Sequence, residues 1–197
     1  MTAWLILISH GSTDAVRSAS FPTDEPLDEP GAVRAAALAG TLPKADRCWT
    51  SPELRTRQTA QALRLNANVE PALRDCNYGR WAGCRFDEVQ ASEPDAISSW
   101  LRDPAAAPHG GESISNLIWR VREWLAAEQA RDQRAIVVTH PAVIRAAIVH
   151  AIEAAPQSFW RIDVAPLSIA RLSGTHGRWN LSAAGCTASH NSTSERF

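Results

Sequence analysis

Trp4-Leu5-Ile6-Leu7-Ile8 is an unbroken apolar run that stops at Ser9-His10-Gly11. A run without polar alternation predicts a strand covered on both faces, as in a parallel sheet. Arg134-Ala135-Ile136-Val137-Val138-Thr139 repeats the pattern and stops at His140-Pro141. Between and after these runs the apolar spacing turns helical. Gly31–Leu42, Pro52–Leu65, Ser113–Ala130 and Pro141–Ala154 read as helices, with Ser51 as the N-cap of the second. Shorter strands are expected at Arg47–Thr50 and Asn68–Glu70, and short helices at Phe86–Ala91 and Pro94–Leu101. Ser12–Pro30 reads as a polar loop. Two late strands, near Ser168–Leu172 and Trp179–Leu181, flank Gly174-Thr175-His176-Gly177, whose glycines suggest a hairpin turn.

Alternating strands and helices imply an α/β fold of three layers, with a mostly parallel central sheet and helices on both faces. Residues 1–182 are expected to form one domain, and the polar stretch 183–197 a disordered tail. In such folds ligands bind beyond the carboxyl ends of strands, so the residues just after the apolar runs matter most.

Composition narrows the function. The 197 residues carry 20 basic and 21 acidic side chains, a net charge of −1. A dedicated nucleic-acid binder or a polybasic membrane anchor would be clearly basic. No stretch reaches eighteen apolar residues and no charged leader precedes the first run, so a cytoplasmic protein is expected. Cys48, Cys76, Cys84 and Cys186 lack CxxC spacing, which fits free thiols rather than a metal site. Neither a Gly-rich dinucleotide or P-loop motif nor a G-x-S-x-G elbow is present.

His10 and His140 end two central strands and could meet in one crevice. His109, His150, His176 and His190 have no such setting and read as structural or surface groups. Arg55 falls in the first turn of a helix, where amides and dipole already favour an anion. An arginine there is best tolerated beside a bound anion.

Five segments occur in a recognisable order: Leu7-Ile8-Ser9-His10-Gly11, Ser51–Ala60, Leu73-Arg74-Asp75 with Gly79-Arg80-Trp81-Ala82-Gly83, Gly110-Gly111-Glu112-Ser113, and Val138-Thr139-His140. Together they resemble the histidine phosphatase superfamily, of phosphoglycerate-mutase-like fold, over roughly Ala3 to Leu181. The resemblance implies a phosphomonoesterase that needs no metal or cofactor and acts on a small phosphate ester. His10 would be the phosphoryl-accepting nucleophile, Arg55 a phosphate ligand, His140 the second histidine of the pocket and Asp75 the general acid. Ser113 would reach bound phosphate, and Glu112 would hold its loop by capping. Trp81 and Trp160 could line a substrate pocket.

The departure is Ser9, where the family pattern has arginine as a principal phosphate ligand. Losing one preorganised donor costs on the order of 10²- to 10³-fold in rate. Arg17 could swing in to compensate. The alternative is a phosphate-ligand-binding or regulatory pseudo-phosphatase. Pro141, where the family often has glycine, removes one backbone donor from the pocket. Substrate identity and oligomeric state are not legible in the chain.

Overall fold

The computed structural model describes residues 3–187 except 132 and 176. Six strands form one sheet in the order β3-β2-β4-β1-β5-β6. These are β1 (Ala3–Ser9), β2 (Arg47–Thr50), β3 (Asn68–Val69), β4 (Arg134–Thr139), β5 (Ser168–Thr175) and β6 (Arg178–Thr187). The first four strands in that order run parallel; β5 pairs antiparallel with β1, and β6 with β5. The sheet is therefore mostly parallel, as expected.

Both apolar runs are covered on two faces. Leu5 and Leu7 of β1, with Ala135 and Val137 of β4, pack against α6 (Ile114–Gln129) and α7 (Pro141–Ala151). Ile6, Ile8, Ile136 and Val138 point the other way, toward α3 (Leu54–Ala62) and the end of α2 (Glu29–Ala37). Alternate side chains of one strand thus serve opposite layers. A smaller aromatic core, with Phe21, Trp81 and Trp100, ties in α4 (Phe86–Ser92) and α5 (Pro94–Arg102).

Several boundaries differ from the sequence expectation. The second helix starts at Leu54 rather than Pro52, and its N-cap is Glu53, not Ser51. It closes near Leu63 because Arg64 turns to a φ of +59°. The first long helix ends at Ala37, and Gly40, at φ +79°, reverses the chain. The polar loop after β1 contains a one-turn helix, α1 (Asp14–Arg17), capped by Thr13. The strand β6 runs on to Thr187, so the ordered chain passes the boundary expected at residue 182. The rest of the expected tail, 188–197, with His190, lies outside the described residues, as does His176. Among the described residues, no helix is long and apolar enough to cross a membrane.

Strand order sets the site. Placing β4 between β2 and β1 brings the residues after three parallel strands side by side: His10 after β1, His140 after β4, and Ser51 after β2. The His10 amide continues the ladder by donating to the Thr139 carbonyl at 2.9 Å.

Candidate active site

The His10 and His140 rings lie edge to face with centroids 5.4 Å apart. His10 is buried, and its Nδ1 is 2.7 Å from the Gly11 carbonyl. A carbonyl only accepts, so Nδ1 carries the proton and the lone pair stands on Nε2. Burial, the charge on His140 and the charge on Arg55 push the His10 pKa down to about 3, against the opposing Gly11 hydrogen bond. The imidazole is therefore neutral at ordinary pH. The Gly11 amide donates to Thr59 Oγ1 at 3.0 Å, which fixes the turn after the histidine onto α3.

Arg55 is 1% exposed. It donates through Nη2 to Asp75 Oδ2 at 2.6 Å and through Nη1 to the Thr23 carbonyl at 2.5 Å. Glu25 Oε2 lies 3.8 Å from Nη1. Asp75 Oδ2 also lies 3.3 Å from His140 Nδ1, within ion-pair range but not aligned as a hydrogen bond. Burial pushes the Asp75 pKa up, but His140, Arg55 and His10 together hold it below the usual carboxylate range. The carboxyl is thus ionised in the resting site.

His140 is fully buried. Its Nε2 is 2.7 Å from Ser51 Oγ and 3.0 Å from Glu53 Oε2. Ser51 Oγ donates to the same carboxylate oxygen at 2.5 Å, and Glu53 Oε1 accepts from the Asp75 amide at 3.2 Å. Burial opposes ionisation of Glu53. The His140 and Ser51 contacts outweigh it and take the pKa down to about 2. Two carboxylates therefore flank His140, and Arg55 already has one of them as partner.

The structure brings together His10, Arg55, Asp75 and His140. It does not bring Arg17 to them: that guanidinium is 59% exposed and pairs with Asp14 and with Asp28, at 3.4 Å from the latter. The compensation expected of Arg17 is absent from this arrangement. Ser113 instead caps α6, its Oγ accepting from the Asn116 amide at 3.1 Å. Ser9 is fully buried and its hydroxyl has no hydrogen-bond partner. Trp81 is buried in the aromatic core, whereas Trp160 lines the cavity beside the site.

Glu53 was not anticipated, although a charged residue just beyond the end of β2 was the available signal. Arg120 gave no local signal at all. Glu112 does not cap its loop: it forms a two-armed pair with Arg120, at 2.9 and 2.7 Å, with both side chains 10% exposed. Arg120 also donates to the carbonyls of Ala72 and Arg74, at 2.7 and 3.1 Å, and so holds the segment that carries Asp75. Replacing Arg120 with methionine leaves the buried Glu112 with only the distant, half-exposed Arg74, at 3.7 Å. The expected cost is about 3 kcal/mol in chemical denaturation, with a larger fall in kcat than change in KM as Asp75 loses its support.

A family model for the histidine phosphatase superfamily, branch 1, matches residues 5–187. The chain is 30% identical over 185 residues to a bifunctional protein of Mycobacterium tuberculosis, covering 84% of this chain and 49% of that protein. It thus spans about half the length of that relative. Identity to the glucosyl-3-phosphoglycerate phosphatase of Mycobacterium tuberculosis is 29% over 176 residues, covering 79% of this chain and 78% of the other. The solved complex of a mycobacterial glucosyl-3-phosphoglycerate phosphatase with inorganic phosphate superposes with a TM-score of 0.82 at 26% identity, over 94% of this chain and 98% of that one. Motif order, strand topology and the match over residues 5–187 agree: the chain belongs to the histidine phosphatase superfamily.

Proposed function

We propose that this chain hydrolyses phosphate monoesters of small metabolites through a phosphohistidine on His10, without a metal ion. The observation that carries the proposal is the His10 ring itself: neutral, with Nδ1 held by the Gly11 carbonyl and Nε2 left as the free base beside Arg55 and His140. In the first step Nε2 attacks phosphorus and the bond to the ester oxygen breaks, its electron pair leaving on that oxygen. In the second, water attacks the phosphohistidine, giving inorganic phosphate and free His10. Arg55 and His140 oppose the charge on the transferring oxygens.

Asp75 supplies the proton to the leaving oxygen and later takes one from water. In the resting site it is ionised on Arg55. An incoming phosphate competes for that guanidinium, and its negative charge next to the displaced carboxyl raises the pKa of Asp75 toward the range where it holds a proton.

The test is phosphate release from an aryl phosphate with chelator present, followed as a function of pH. Turnover should survive chelation. Because His10 is already neutral well below pH 6.5, no ascending limb centred near that value is expected. Instead kcat/KM should fall as pH rises through about 6, where the ester becomes a dianion and meets Asp75 and Glu53. A rising limb near 6.5 would mean that the nucleophile titrates like an exposed imidazole, and would remove this account of His10.

One observation favours a second reading. With Ser9 in place of arginine, and with Glu53 and Asp75 both ionised, the pocket offers a dianion little net positive charge. A phosphate-ester-binding protein with impaired turnover would have this composition. Binding of the ester without phosphate release, by wild-type protein, would establish it.

A further inference from the structure

The catalytic cavity, about 130 Å³ and floored by His10 and Asp75, opens beside a larger one of about 470 Å³. Ser20, Pro22, Tyr78 and Arg145 line both, so the two adjoin. The larger compartment has an aromatic wall: Phe21, Phe86, Trp100, Phe159 and Trp160. Trp100 and Trp160 meet edge to face with centroids 4.4 Å apart, and Phe159 meets Trp160 at 5.0 Å. Its volume is within the usual range for a small-molecule site.

One polar group interrupts this wall. Arg145 stands where the two cavities join. Its Nε donates to the Ile162 carbonyl at 2.7 Å, and its guanidinium lies 5.6 Å from the Phe159 ring centre. That contact engages one edge of the fork, leaving Nη donors to face an anion.

We propose that the substrate is an aryl phosphate whose flat, acid-bearing ring system occupies this compartment, its acidic group paired with Arg145. The inference rests on the phosphatase reading above and specifies its leaving group. Edge-to-face rings accept a planar aromatic guest better than a polyol, which would have to leave its hydroxyls against indole and phenyl faces. The leaving-group chemistry agrees. An aryl oxygen departs as a phenolate of modest basicity and needs less help from a general acid that rests ionised on Arg55. In the transfer, His10 Nε2 bonds to phosphorus, the phosphorus–aryl oxygen bond breaks, and the phenolate takes its proton from Asp75 or solvent.

The experiment compares three esters: a carboxylated naphthyl phosphate, phenyl phosphate and glycerol phosphate. Phenyl phosphate controls for leaving-group reactivity. Wild type is expected to favour the carboxynaphthyl ester over phenyl phosphate by roughly 10- to 100-fold in kcat/KM. In Trp160→Ala and in Arg145→Gln that ratio should collapse toward one. Equal turnover of the carboxynaphthyl and phenyl esters by wild type would overturn the compartment's assignment while leaving the phosphatase reading intact. If no ester is turned over, the phosphatase reading fails. Tryptophan quenching by the phosphate-free hydroxynaphthoate then decides: binding to wild type that is lost in Trp160→Ala upholds the compartment, and no binding to wild type overturns it.

Discussion

Replacing His10 with alanine is expected to lower phosphate release by at least about 10⁴-fold while leaving ester binding measurable. The size follows from its role. In the proposed mechanism Arg55, His140 and Asp75 stabilise and protonate, and His140 cannot take over as nucleophile because its Nε2 is engaged by Ser51 and Glu53. Arg55 keeps its buried position through Asp75 and the Thr23 carbonyl, so the anion-binding part of the pocket survives the change. Residual turnover equal to that of wild type would show that the phosphoryl group never resides on His10.

The same variant has a second readout, in stability. The buried imidazole protonates only near pH 3, whereas the unfolded chain binds that proton near 6.5. A folded group with a depressed basic pKa therefore costs the wild type stability as pH falls from about 6.5 toward 3. Glu53 adds to the trend: its stabilisation is present above the ordinary carboxylate range and is lost as pH falls toward 2. In His10→Ala the first contribution is gone. Its unfolding free energy should decline less steeply between pH 6.5 and 4 than that of wild type, by denaturant titration at each pH.

These outcomes bear on how much of the site was legible in the chain. The two apolar runs ended in His10 and His140, and parallel pairing of adjacent strands made their meeting a consequence of period and topology. Arg55 was legible because it opens a helix directly after β2. Asp75 was legible only through resemblance, since its segment is irregular and is held by Arg120, 45 residues away in sequence. Glu112, Arg120 and Arg145 are placed by contacts distant in sequence, which leave no periodic trace. Arg17 shows the converse error. Proximity in sequence to His10 suggested a phosphate ligand, but Asp14 and Asp28 lie nearer its guanidinium and outcompete the pocket. Strand β6 was underestimated because an edge strand tolerates Ser, Ala and Thr where a central one would be apolar.

Ser9→Arg is the change expected to raise activity most, by about 10²-fold in kcat. Ser9 ends β1 immediately before His10, and its hydroxyl has no partner to lose. A guanidinium there would supply the charge that the present pocket lacks and would hold two phosphate oxygens at once. The gain should fall on kcat rather than on KM alone, because charge on the equatorial oxygens is opposed most usefully in the transition state. Overpacking a buried position costs about 1–3 kcal/mol, so rates are compared well below the unfolding transition. Ser9→Gln adds bulk without charge and should give no gain. Ser9→Lys adds charge without the planar fork and should give a smaller one. Glu53 and Asp75 will compete for the new guanidinium, so Ser9→Arg with Glu53→Gln should exceed Ser9→Arg alone. A folded Ser9→Arg protein with unchanged kcat would show that the deficit does not lie at residue 9. Restored turnover in a wild-type background that binds esters but releases no phosphate would show a pocket kept for binding, separated from catalysis by one charge.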